Sequence, residues 1–392
     1  MTDVAKRLQE LRDSGLYRRL RLIDGPQGPR VSLDGRPVLL LCSNNYLGLA
    51  DHDAVREAAA RAALEWGAGA GASRLISGNM EPHRRLESQL AEFAGYETAL
   101  LFGSGYLANT GAIAALAGRD RVVFSDQLNH ASIVDGCRLA RAETFVYRHA
   151  DLDHLAWGLE RAGDRGALIV SDGLFSMDGN LAPVTGLLEL ARRHGCRLMI
   201  DEAHATGAIG PGGRGAVAAA GLSGEVDLVV GTLGKALGSY GAYACADAAT
   251  VDLLVNTARP FIFSTAPPPP SLGAAEAALE LLRAEPWRVE ALAANAATLR
   301  EALAAEGLDV GASWSQILPV MVGEERLAMA LCERALEGGV FAQGIRPPTV
   351  PSGSSRLRFT VIATHDAEEL RGAARTVGAA ARELGVAVPV RA

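Results

Sequence analysis

The sequence has no uncharged apolar stretch approaching the ~20 residues that span a bilayer, so nothing in it reads as a membrane segment. Cysteine is sparse. Cys42, Cys137, Cys196, Cys245 and Cys332 are odd in number, scattered and never in a CxxC spacing, which excludes a disulfide framework, argues against zinc and redox centres, and fits a reducing compartment. Basic charge is not in excess either. A formal net charge of -7 argues against nucleic acid as a partner, while leaving room for a local basic pocket that takes a small anion. The opening "MTDVAKRLQELRDSG" sets Val4, Leu8 and Leu11 on one helical face among charges and lacks the apolar core of a secretion signal, so the expected location is cytoplasmic.

What is present is an ordinary globular composition, 49% hydrophobic and 21% charged over 392 residues, enough for one large or two ordinary domains with their own cores. From about residue 80, helical periods alternate with the short apolar runs "TALLF", "RVVFSD", "ALIVSD", "CRLMID" and "DLVVGT". Continuous hydrophobicity predicts strands buried on both faces, and the intervening helices make them parallel, giving an α/β domain. Ligands bind beyond the carboxyl ends of such strands, so Ser125 to Asp126, Ser171 to Asp172, Asp201 to His204 and Thr232 to Lys235 are expected to converge. "TAPPPPSLG" breaks the pattern. Two helical segments, the strands "ILPVMVG" and "SRLRFTVIA" and a last helix near 366–385 then predict a smaller α+β domain. The expected division is an N-terminal arm at 1–45, a large domain at 46–284 and a small domain at 285–392.

The chemistry gathers around "VVGTLGKALGSYG", where Lys235 sits among glycines after an apolar run. It is not a P-loop lysine, because that motif needs glycine at 229 and a hydroxyl residue at 236, where the chain has Val229 and Ala236. "GAGAGAS" follows a helical stretch instead of a strand, which removes it as a dinucleotide fingerprint, and "FGSGYLA" places no serine at the centre of a GxSxG elbow. A lysine in a confined site can form a Schiff base with a carbonyl cofactor. Upstream, "LMIDEAHATGAIG" adds Asp201 at a strand end and His204 three residues later, suited to a pyridinium nitrogen and a phenolate oxygen. Alone, such an aspartate is most simply a helix cap and such a histidine a core residue. Their conjunction with Lys235 points to pyridoxal 5'-phosphate. "LLFGSGYLANTGAIAAL" reads as strand, loop and helix, so the amides near Gly105 and Tyr106 suit a phosphate at a helix N-terminus. Ser176 and Thr232 offer hydroxyl donors, and His130 in "SDQLNHASIVDG" is placed to lie against the open face of a ring.

With these residues assembled, the sequence resembles the α-oxoamine synthases, pyridoxal-phosphate enzymes of the aspartate aminotransferase-like fold (fold type I). The resemblance runs nearly end to end, through "CSNNYLGL", "GASRLISGN", "HASIVDG", "GLFSMDG", "DEAHATGAIG", "GTLGKALGSYGA", "FIFSTAPPP" and "IRPPTVPSGSSRLRFT". It implies that Lys235 carries the cofactor, Asp201 pairs with the ring nitrogen, His204 contacts the phenolic oxygen and His130 covers the ring. Gly105, Tyr106, Ser176 and Thr232 would also bind the cofactor. Asn44, Arg358 and Thr349 would surround substrate, and Thr265 would reach a phosphate across a homodimer interface. Arg356 and Arg358 share one strand face, so spacing does not decide which receives a carboxylate; the family pattern selects Arg358. Arg18 matches a substrate-binding arginine, with Arg19 and Arg21 equally placed by sequence. "IRPPTVP" further resembles the family's biotin-pathway branch, which implies condensation of L-alanine with pimeloyl-CoA or a pimeloyl carrier protein. A glycine-using synthase such as a 2-amino-3-ketobutyrate ligase, and a non-catalytic cofactor-binding partner subunit, are the alternatives.

Overall fold

The computed structural model describes residues 3–386. The chain forms two compact units, one of residues 1–44, 177–179 and 293–392, the other of residues 45–176 and 180–292.

In the first unit the segment that follows the exposed helix Asp3–Asp13 supplies strands β1 (Ile23–Asp24), β2 (Arg30–Leu33) and β3 (Arg36–Leu40), which form an antiparallel ribbon. Val31, Leu33, Val38 and Leu40 bury one side of it against Phe341.

The second unit is built on a seven-stranded sheet of β4 (Thr98–Phe102), β5 (Val122–Asp126), β6 (Glu143–Tyr147), β7 (Gly166–Asp172), β8 (Arg197–Asp201), β9 (Leu228–Thr232) and β10 (Ala242–Ala246), in the order β4-β10-β9-β8-β7-β5-β6. Every residue of β5, β7, β9 and β10 is buried, the burial expected for strands covered on both faces. The five apolar runs read from the sequence are strands. Two others were not visible there. β6 has the sequence ETFVY on an exposed edge and lacks a continuous apolar run, while β10 is AYACA, whose small residues carry little strand preference. β10 also departs from the parallel expectation, since it returns directly from β9 and pairs antiparallel with both β9 and β4.

On one face of the sheet lies the helix Gly105–Leu116, with six consecutive buried residues from Ala108 to Ile113, as expected of a helix enclosed all round. It packs in one apolar cluster with Ile133 and Cys137 of the helix Ala131–Ala140 and with Leu168, Val170, Met199 and Val230 of the strands. The proline run does not simply interrupt the chain. Pro268 precedes the helix Pro269–Ala284 and prolines occupy its first positions, where the missing N–H has no helical partner to lose.

The remaining first-unit strands are β11 (Ile317–Gly323), β12 (Val340–Phe341), β13 (Gln343–Ile345) and β14 (Ser355–Thr360). β12 pairs parallel with β3, and β14 lies between β11 and β13 in an antiparallel sheet. The helices Glu325–Glu337 and Ala367–Glu383 complete the α+β pattern. His365 ties this region to the ribbon: its Nδ1 accepts from the Ile362 N–H at 2.9 Å and its Nε2 donates to the Leu40 carbonyl at 3.1 Å.

Burial lowers the His365 pKa from 6.5 to about 4. Between those values the unfolded chain takes up a proton that the folded chain refuses. The stabilisation is therefore present above pH 6.5 and lost as pH falls toward 4. At ~1.4 kcal/mol per pKa unit the loss amounts to about 3 kcal/mol. Urea unfolding measured across this range is expected to show that acid slope in the parent protein and a shallower one in His365→Gln.

Candidate active site

Three strand ends of the second unit meet one cavity of about 210 Å³, lined by Gly105, Tyr106, Asn109, His130, Ser132, Asp172, Leu174, Asp201, Ala203, His204, Thr232 and Lys235. Parallel pairing sets Asp172 of β7 directly beside Asp201 of β8, and neighbouring strands lie only about 4.8 Å apart. Asp201 Oδ2 accepts from Asn109 Nδ2 at 2.6 Å and Oδ1 accepts from the Ala203 N–H at 2.8 Å. Asp172 Oδ2 accepts from the His130 N–H at 3.2 Å. Burial, and then the negative charge of Asp201, push the Asp172 carboxyl well above the usual carboxylate range. Asp201 differs in having a donor on each oxygen.

The loop from β9 to β10 carries Lys235, and its glycines answer packing demands. Leu233 N–H donates to the Gly241 carbonyl at 2.9 Å and Gly238 N–H to the Lys235 carbonyl at 3.0 Å, closing the loop upon itself. Gly238 has φ +60° and lies so near the 49–50 backbone that a Cβ would come within 2.5 Å of the Ala50 nitrogen. Beside the lysine, Gly234 is open, with nothing nearer than 3.5 Å to the position a Cβ would take. Thr232 Oγ1 donates to the Gly241 carbonyl at 3.1 Å and accepts from the Gly234 N–H at 3.2 Å, so it braces this loop as well as lining the cavity.

His204 Nδ1 and the buried Tyr46 hydroxyl are 2.6 Å apart, which orients the imidazole. His130 caps the helix Ala131–Ala140, and its Nδ1 accepts from the Ser132 N–H at 3.3 Å. Burial lowers the His130 pKa; Asp201 acts against that shift and Lys235 with it. Gly105 and Tyr106 open the helix Gly105–Leu116 behind the Ser104 cap, and the Tyr106 hydroxyl donates to Asp135 Oδ2 at 2.5 Å.

Gly105, Tyr106, His130, Asp201, His204, Thr232 and Lys235 thus share one cavity. Ser176 is buried on the loop after β7 and is not part of its wall, and Thr265 is exposed, bridging to Ser73. The expectation that Ser125 and Asp126 join the same site is corrected: Ser125 Oγ accepts from Asn129, while Asp126 accepts from the Leu128 and Ala150 amides and from His149 Nδ1, all of which shape loops. Sequence reasoning missed Asn109, Ser132 and Tyr46. The one signal available for Asn109 was an amide in an otherwise apolar helix, four residues after Gly105.

The substrate residues named from sequence lie in the first unit. Arg358 Nη2 donates to Asn44 Oδ1 at 3.3 Å. Arg356 is committed to Asp178 and to the Met177 and Ser354 carbonyls. Arg18 and Thr349 line a second cavity, of about 930 Å³, whose wall also includes Arg19, Arg21, Ile23, Leu33, Phe341 and Ile345. Arg21 there is paired with Glu333, and Arg346 holds the Gly15 and Tyr17 carbonyls. Arg18 and Arg19 are exposed and have no such ion pair among the described residues.

The donor set of the smaller cavity fits pyridoxal phosphate: an amine for its carbonyl, a charged carboxylate for its ring nitrogen, an imidazole for its phenolic oxygen and first-turn amides for its phosphate. A family model for class I and II aminotransferases matches residues 36–377. The chain is 52% identical to an 8-amino-7-oxononanoate synthase of Geobacter sulfurreducens, over 98% of this chain and 99% of that protein. It is 50% identical to one of Anaeromyxobacter dehalogenans, over 99% and 98%. Among solved structures, a serine palmitoyltransferase from S. paucimobilis with a bound PLP-myriocin aldimine superposes with a TM-score of 0.93 at 31% identity, over 98% of each chain. An 8-amino-7-oxononanoate synthase from Francisella tularensis gives 0.77 at 26%, over 88% of this chain and 98% of that one. The chain belongs to the class I and II aminotransferase family and, within it, to the pyridoxal-phosphate-dependent 8-amino-7-oxononanoate synthases.

Proposed function

We propose that this enzyme condenses L-alanine with a pimeloyl thioester, releasing carbon dioxide and the thiol carrier, with Lys235 as the cofactor-bearing residue. The observation that carries the reading is the single cavity shared by Lys235, Asp201, His130 and His204. When bound, pyridoxal phosphate supplies a carbonyl for the lysine amine and an electron sink for the pair released at the substrate Cα. The protein's residues do the rest. Asp201 would hold a proton on the ring nitrogen, His204 would hydrogen-bond the phenolic oxygen, and the Gly105 and Tyr106 amides would take phosphate oxygens, with Thr232 bracing the lysine loop. His130 would cover the ring, and Lys235 Nζ would remove the substrate Cα proton as general base.

Arg358 receives the alanine carboxylate beside Asn44, because Arg356 is already neutralised by Asp178. The cavity holding Arg18 and Thr349 suits a carboxylate at the far end of an acyl chain, and its Ile23, Leu33, Phe341 and Ile345 suit the methylenes. Leu75, Ile76 and Phe263 are large, apolar and exposed, and they flank the Ser73–Thr265 bridge. Such a surface supports a homodimer in which each copy's Thr265 serves the phosphate of the other. The five free cysteines suit a cytoplasmic setting.

Borohydride reduction of the purified enzyme is expected to fix the cofactor on Lys235, read by mass spectrometry, with Lys235→Ala inactive. Modification at another lysine would overturn the assignment. In steady-state assays of thiol release, L-alanine with pimeloyl-CoA is expected to exceed glycine with acetyl-CoA by orders of magnitude in kcat/KM, since each additional buried methylene is worth about 0.8 kcal/mol. The reverse order would assign a glycine-using synthase. Arg358→Leu is expected to raise the KM for alanine about 10- to 100-fold, the loss of a charge-assisted hydrogen bond. Arg356→Leu should chiefly reduce stability, by exposing Asp178 to an unpaired environment.

A further inference from the structure

Four side chains run in unbroken hydrogen-bonded sequence from the carboxylate beneath the cavity to the imidazole beside it. Asp201 Oδ2 accepts from Asn109 Nδ2 at 2.6 Å, Asn109 Nδ2 also donates to Ser132 Oγ at 2.8 Å, and Ser132 Oγ lies 2.7 Å from His130 Nδ1. We propose that Asn109 and Ser132 are positioning residues that carry the orientation set by Asp201 to His130 and hold its imidazole in the tautomer protonated at Nε2. The proposal rests on the reading in which His130 covers the cofactor and Asp201 meets its ring nitrogen.

Each link fixes the next. An ionised carboxylate only accepts, so the Asn109 atom facing Asp201 must be its nitrogen. Turning the amide over would set Oδ1 against the charge; as it stands, Oδ1 is buried with no partner among the described residues, the lesser cost. The second Nδ2 hydrogen goes to Ser132 Oγ, occupying a lone pair there. The hydroxyl hydrogen is then directed at His130 Nδ1, where the Ser132 backbone N–H also arrives at 3.3 Å. Two donors converge on Nδ1, so Nδ1 carries no proton and the neutral ring carries its proton on Nε2.

The scaffold makes the chain rigid. Asn109 and Ser132 are buried on two helices that touch where Gly136 faces Ile113; a Cβ at Gly136 would lie 2.8 Å from Ile113 Cδ1 and 3.2 Å from the Asn109 carbonyl. The His130 backbone is held by its N–H bond to Asp172 at 3.2 Å. The imidazole thus presents a donor, not an acceptor, from Nε2 to a molecule that reaches it. A wrong tautomer would offer a lone pair instead.

The test is nitrogen NMR of the holoenzyme labelled with 15N-histidine, the His130 signal being assigned by its loss in His130→Gln. The wild type is expected to show a protonated Nε2 and an unprotonated Nδ1. Ser132→Ala should shift population toward Nδ1–H and lower kcat about tenfold with little change in KM for alanine, and Ser132→Thr, which restores the hydroxyl, should recover both. A wild-type ring protonated at Nδ1, or a Ser132→Ala spectrum identical to wild type, overturns the proposal. If Ser132→Ala does not fold, the wild-type spectrum alone decides. Borohydride labelling of the same samples reports separately on Lys235, so failure of the cofactor reading is distinguishable from failure of the relay.

Discussion

A single buried negative charge, on Asp201, organises the site. Placing a carboxylate at the end of a covered strand is costly unless donors surround it, and here an asparagine amide and a backbone N–H do so. The same charge makes a second one untenable next door. Asp172 occupies the paired position on β7 and is pushed toward its neutral form by burial and then by Asp201.

The sheet supplies what no single residue can. Strands β7, β8 and β9 end at one edge, and the helices that follow β4 and β5 begin at the same cavity, which is how Gly105 and His130 come to share it with Asp201 and Thr232. The antiparallel return of β10 has its own consequence. It closes the 233–241 loop tightly by hydrogen bonds, so the lysine extends from a braced turn and its position does not depend on a flexible segment.

Much of this was legible in the sequence because burial on both faces leaves continuous apolar runs, and because Lys235, Asp201 and His204 sit at fixed offsets from those runs. β6 and β10 were not legible, one being a half-exposed edge and the other built of small residues. Within the site, periodicity located the strand ends without saying which of them serve the cavity: Asp126 looks like Asp172 in sequence, yet its carboxylate is consumed by loop amides and His149. Arg356 and Arg358 were indistinguishable by spacing, and only the position of Asp178 separates them. Asn109 and Tyr46 act through other side chains, and such partners are set by tertiary packing.

The histidines show how local backbone can decide chemistry. Five of the eight, His52, His83, His130, His154 and His365, accept a backbone N–H at Nδ1. That contact biases a neutral ring toward a proton on Nε2, and at His130 the Ser132 hydroxyl adds a second donor to Nδ1. His149 is the contrasting case, donating from Nδ1 to the Asp126 carboxylate and accepting from Asn180 at Nε2. A carboxylate in direct contact therefore reverses the tautomer, whereas one acting through an amide and a hydroxyl, as Asp201 does on His130, preserves it. The two intervening polar side chains invert the sense of the interaction and let a buried anion sit beneath the site without drawing the proton off the outward nitrogen.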